Sequence, residues 1–138
     1  MNNRIIKFRI WDKSRKEMTY GDWNITFNDK NHEHPITIHG FNRDNPENFN
    51  FKIQQFTGLL DKNNREIYEG DILTGNCLLN PGQDNVICRV EYNNKETCFN
   101  IIGKPLNTSG SFRNYLYMLK KNIEIIGNIF ENPELLNS

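Results

Sequence analysis

Net charge is missing from this chain: 17 Lys and Arg are offset by 17 Asp and Glu across 138 residues. No global attraction toward nucleic acid or an anionic membrane follows, so a local patch would have to supply it. Cysteine is scarce as well. Cys77, Cys88 and Cys98 lie about ten residues apart, without the C-x-x-C pairing of a zinc site or the density of a disulfide framework. Reduced thiols are expected, with Cys88 and Cys98 packing as small hydrophobes. No segment approaches the roughly 18 uninterrupted apolar residues of a membrane span. The start Met1-Asn2-Asn3-Arg4 has no apolar signal region, so the expected location is cytoplasmic. Also absent are a phosphate-cradling Gly loop and a nucleophile–base arrangement. Ser109 and Ser111 beside Gly110 form no nucleophile elbow and read as turn and cap residues.

Asparagine, by contrast, is abundant. It makes up about one residue in six and suits turns and positive-φ positions better than helix interiors, although an AT-rich genome would also enrich it. The length is that of one ordinary domain, or of a small barrel with an appendage.

Along the chain, Ile6, Phe8 and Ile10 alternate with Lys7 and Arg9, which predicts a half-buried strand with its cations in solvent. A polar turn at 12–16 brings back Met18 and Tyr20, completing a hairpin. Residues 24–52 read as a long excursion with one short strand at Ile36–His39. The run Gln55 to Leu73 reads as two strands joined by a polar turn and redirected at Gly70-Asp71. Gly70 there supplies a positive φ, and the Asp71 carboxylate accepts backbone N–H groups. Residues 86–92 and 97–102 form a hairpin beside Ile72-Leu73. Ser111 is expected to cap a helix over 112–121. The segment 123–130 is a closing strand with a bulge at Gly127, and Asn132-Pro133 opens a last helical turn. The expectation is a mainly β fold: an SH3-like barrel in 54–138, with a β-hairpin lobe and excursion in 1–53 and one or two short helices.

Three separated segments then carry a resemblance. Ile6 to Asp12, Gln55 to Leu73 and Glu124 to Leu136, in that order, closely resemble the YopX family of phage and prophage proteins. The resemblance implies a C-terminal SH3-type barrel and a bacteriophage origin, and it implies no reaction. The structural positions singled out are Gly58, Gly70, Asp71, Gly127, Asn132 and Pro133.

Chemistry has few candidates. Glu66, Glu69 and Asp71 offer carboxylates for acid/base work or a divalent cation, but on an extended strand Glu66 and Glu69 point apart while Glu69 and Asp71 share a face. His32 and His34 form a His-x-His pair with His39 nearby. That pattern begins many metal sites, but in a loop-like setting exposed histidines are preferred. Six cations within the first 23 residues (Arg4, Lys7, Arg9, Lys13, Arg15, Lys16) accompany aromatic side chains. Lys7, Arg9, Trp11 and Tyr20 are therefore the candidate interaction surface, and nucleic acid is the alternative ligand there. The preferred reading is a non-catalytic protein-interaction module without metal or cofactor, binding a host or phage protein, with self-association open.

Overall fold

Alternating β-branched and aromatic residues, punctuated by Asn, Asp and Gly turns, build eleven strands among the described residues of the computed structural model. It describes residues 5–20, 24–27, 36–39, 51–77, 86–105 and 110–137. The strands are β1 (Phe8–Asp12), β2 (Glu17–Tyr20), β3 (Asn24–Phe27), β4 (Ile36–His39), β5 (Phe51–Leu60), β6 (Glu66–Tyr68), β7 (Asp71–Cys77), β8 (Val86–Asn93), β9 (Cys98–Pro105), β10 (Phe112–Tyr115) and β11 (Leu119–Asn128). Two short 3-10 turns, η1 (Leu116–Met118) and η2 (Pro133–Leu136), complete the order. The protein is mainly β, with curled antiparallel sheets.

Among the described residues three sheets result. The order β2-β1-β5-β6 makes a four-stranded sheet, β10-β9-β8-β7-β11 a five-stranded one, and β3-β4 a separate ribbon. The expected strand at Ile36–His39 is present and pairs with β3, Phe27 opposite Ile36. β5 begins at Phe51 inside the expected excursion. It pairs with β1, Phe8 opposite Gln55, so the four-stranded sheet runs across the division between 1–53 and 54–138. The hairpin β8–β9 and its neighbour β7 lie as expected, Leu73 opposite Cys88 and Cys88 opposite Gly103.

The expected helix over 112–121 is not formed. Phe112–Tyr115 pairs with β9, and Leu119 onward pairs with β7, leaving only η1 helical between them. Leu116 and Leu119 fit the spacing of one helical turn, but η1 satisfies that spacing while placing both in the core. Ile67, Leu73, Val86, Cys88, Val90 and Ile101 pack with them, and Phe99, Phe112, Ile123 and Ile125 close the edges. Register shifts along β11, one of them between Ile125 and Gly127, bend that strand.

Candidate functional site

The site is built from the redirected run of residues 55–73. Gly70 takes φ +83°, a conformation that strains residues with a Cβ, and a Cβ there would overlap the Gln54 amide. Its N–H donates to Val90 O at 2.9 Å, and its carbonyl accepts from Ile129 N–H at 2.9 Å. The turn therefore lies where the two large sheets meet. Asp71 follows, 1% exposed. Its Oδ2 accepts the Tyr68 backbone N–H at 2.8 Å, and its Oδ1 lies 2.7 Å from Arg9 Nη1.

Arg9 is the partner that periodicity hides. It is 2% exposed; its Nε donates to Gln54 Oε1 at 2.6 Å, and its Nη2 donates to Glu69 O at 3.1 Å. The guanidinium also lies 4.9 Å from the centre of the Tyr68 ring, an attractive cation–π arrangement. Two charges this far from water are tolerated only when paired and hydrogen-bonded, and both are.

Above this pair opens a cleft of about 500 Å³, lined by Arg9, Tyr20, Arg65, Glu66, Tyr68, Asp71, Glu131 and the 125–128 segment of β11. Most of its charges have partners, and Glu131 accepts from the Asn128 amide at 2.8 Å. Lys7 Nζ lies 2.5 Å from Glu66 Oε1, and Tyr68 Oη donates to Glu66 Oε2 at 2.8 Å. The Lys7 and Tyr68 hydrogen bonds hold the Glu66 pKa below its ordinary value, while burial and then the Glu66 carboxylate raise that of the Tyr68 phenol. Burial pushes the Asp71 carboxyl up, against the Arg9 guanidinium and the Tyr68 N–H. A perturbed carboxylate in a cleft is a common mark of catalysis, but this one is sealed beneath its own ion pair. Arg65 completes the wall, its Nη2 donating to Ile125 O at 2.6 Å and pairing with Asp61 Oδ2 at 3.0 Å.

The carboxylate trio does not converge. Glu66 and Asp71 face the main cleft, whereas Glu69 lines a second groove of about 170 Å³, together with Gln54, Arg89 and Glu91. The Gly70 turn breaks the extended geometry that would have put Glu69 and Asp71 on one face.

The expected interaction surface divides. The strand expected at β1 is present, but it is not half-buried: Arg9, Ile10, Trp11 and Asp12 are all buried, so neither face is the solvated one. Arg9 and Trp11 are buried, and Trp11 stacks on Phe130 with ring centres 5.4 Å apart. Lys7 stays half-exposed on Glu66, and Tyr20 is exposed with its ring edge against Tyr68. Ile6, expected in the core with Phe8 and Ile10, is 61% exposed while Ile10 is buried.

The glycines and the terminal turn hold structural positions. Gly58 has φ +87° within the β5 irregularity, where Thr57 Oγ1 donates to Ile67 O at 2.7 Å. A Cβ on Gly127 would collide with the Asn132 side chain, whose Oδ1 accepts from Asn128 N–H at 3.3 Å. Pro133 opens η2.

His32 and His34 lie outside the described residues, and His39 is placed only as the end of β4. Among the described residues no cluster of three or more His, Cys, Asp or Glu is arranged to hold a metal, and no helix is long and apolar enough to cross a membrane. Cys88 is buried and Cys98 half-buried, and neither is in a disulfide. Sequence reasoning missed Gln54, Tyr68 and Asp61 as partners at the sheet junction, because each acts on strands remote in sequence. It also missed the exposed pair Tyr115 and Tyr117, hidden inside the expected helix.

The fold and junction define a mainly β protein of curled antiparallel sheets joined through a buried Arg–Asp pair. The chain belongs to the YopX family, whose model, described as YopX protein, matches residues 7–137. Among solved structures, the crystal structure of protein EF1440 from Enterococcus faecalis is similar at 27% identity and TM-score 0.56, covering 97% of this chain and 99% of that one. The crystal structure of protein yopX from Bacillus subtilis shares the fold at 17% identity and TM-score 0.54, covering 94% and 97%. No curated protein matches the chain.

Proposed function

We propose that this protein is a non-catalytic interaction module of phage or prophage origin that binds a host or phage protein in the bacterial cytoplasm. The observation that carries the reading is an apolar cluster at one end of the four-stranded sheet. Ile5, Ile6, Leu59 and Leu60 are 58%, 61%, 40% and 51% exposed. Because β1 and β5 are antiparallel, these residues lie at the same end of the sheet, where Phe56 N–H donates to Lys7 O at 2.8 Å. Exposed apolar side chains gathered in one place mark contact surfaces more often than isolated ones do. The pairing of Arg9 with Asp71, Glu66 with Lys7 and Arg65 with Asp61 supports the same reading, since these cleft charges already have partners.

An SH3-like barrel is the finer architecture proposed for the five-stranded sheet. Supporting it are the order β10-β9-β8-β7-β11 and the 3-10 turn that links the two outer strands directly. The alternative of nucleic acid on the N-terminal hairpin loses its main cation with the burial of Arg9.

Tagged protein recovered from infected host cells, under nuclease treatment, tests the reading. We expect a specific co-purifying protein that Ile6→Asp or Leu60→Asp removes without changing the melting temperature. Recovery of the same protein by both variants would refute the assignment of this end.

A further inference from the structure

A second surface, remote in sequence from the apolar end, has a different chemistry. In the antiparallel register Arg113 lies opposite Ile102, which lies opposite Arg89, while Tyr115 lies opposite Asn100, which lies opposite Glu91. Residues opposite one another share a face, so Arg89, Glu91, Arg113 and Tyr115 stand on the outer side of the sheet. The core side carries Cys88, Val90 and Ile101. Beyond Tyr115 the chain enters η1, and the Tyr117 ring stacks on that of Tyr115, centres 5.4 Å apart and planes within 9°. They are 39% and 63% exposed, the latter the most exposed large hydrophobic side chain among the described residues.

Charge selects the partner. From Val86 to Tyr115 the chain carries four cations, Arg89, Lys95, Lys104 and Arg113, against two carboxylates, Glu91 and Glu96. That leaves an excess of two positive charges in a chain that is neutral overall. Glu91 is shared by two guanidinium groups, 3.3 Å from Arg89 and 3.8 Å from Arg113. One carboxylate cannot occupy the five N–H donors of each. The Tyr115 hydroxyl donates to the Glu96 carboxylate, so it is the ring faces, near guanidinium donors that Glu91 cannot fill, that match unpaired bases next to phosphates, and they cannot reach bases stacked inside a duplex.

We propose that the outer face of β8–β10, ending in the Tyr115–Tyr117 stack, binds single-stranded nucleic acid. Bases extend the tyrosine stack, while Arg113 and Arg89 contact the backbone. This surface is separate from the apolar end assigned to a protein partner, and the two assignments stand or fall independently.

Fluorescence anisotropy with a labelled oligothymidylate of about 15 nucleotides, and with a duplex of equal length, tests the proposal across a salt series. The single strand should bind more tightly than the duplex. Tyr115→Ala and Tyr117→Ala should each weaken binding by about 5- to 150-fold, and Tyr117→Phe should retain it. Arg113→Ala should make the log–log salt dependence shallower by about 0.7. Ile6→Asp should leave oligonucleotide binding unchanged. Unaltered circular dichroism in the tyrosine variants separates lost contacts from lost fold. The proposal is overturned by absent binding at low salt, by equal binding of the duplex, by wild-type affinity in both alanine variants, or by a Tyr117-dependent proline-rich peptide binding where the oligonucleotide does not.

Discussion

Asp61 and Asp71 are both withdrawn from water, yet their surroundings drive them in opposite directions. Burial raises the Asp61 pKa, but the backbone N–H groups of Arg65, Ile125 and Asn63, with the Arg65 guanidinium, outweigh it and leave a net lowering. For Asp71 burial wins over Arg9 and the Tyr68 N–H. The ionised forms of Asp61 and Glu66 therefore stabilise the fold fully above the ordinary carboxylate pKa of about 4. That stabilisation is lost as pH falls through their lower folded values. The Asp71 contribution has the other sign, present below its ordinary value and lost as pH rises through the folded one. Because Asp61 Oδ2 also accepts from Ile125 N–H at 3.2 Å, it pins the β5–β6 turn to β11. Asp61→Ala should cost about 2–4 kcal/mol near neutral pH and flatten the acid limb of a urea-unfolding series; wild-type stability in that variant would remove the pin. At the neighbouring turn, Gly70→Val should cost about 1–3 kcal/mol through its positive φ and the overlap with Gln54. Glu69→Gln, whose carboxylate accepts a long 3.4 Å bond from Gln55 N–H, should change stability by less than about 1 kcal/mol. Equal melting of the two variants would mean that Gly70 has no special conformation to protect.

At the scale of strands and turns, much was legible because the information was local. The β8–β9 hairpin follows from β-branched residues around Asn93-Asn94, the Gly70-Asp71 turn from its two residue types, and η2 from Asn132-Pro133. The failures were non-local. Leu116 and Leu119 satisfy helical spacing, and nothing in their neighbourhood says that β7 and β9 already offer hydrogen-bonding edges to the chain on either side. Arg9 sits in an alternating strand whose pattern suggests one solvated face, without showing that the rest of the molecule covers both. One turn also departs from its sequence preference. Thr97 is exposed with φ 53°, a left-handed conformation that is costly for a β-branched residue. Thr97→Asn should raise stability by about 0.5–1 kcal/mol in thermal or urea unfolding, and a loss would show that the threonine makes a compensating contact.

For the molecule as a whole, the account places structure at the junction and function on the surface. The cation and carboxylate that read as a basic patch and a candidate acid are spent on each other, tying β1 to β7 beneath the cleft. Trp11 against Phe130 extends the same joint to the chain after β11. Removing one member of such a pair strands a buried charge, at a cost of about 3–5 kcal/mol, whereas replacing both with apolar residues of similar volume is often close to neutral. The most direct measurement is a double-mutant cycle in urea with Arg9→Met, Asp71→Leu and the combined variant. The account predicts large losses in each single variant, a coupling of at least about 2 kcal/mol, and a loss in the combined variant well below the sum of the single losses. Additive losses, with coupling below about 0.5 kcal/mol, would contradict it and return Arg9 to the candidate interaction surface and Asp71 to the candidate carboxylates.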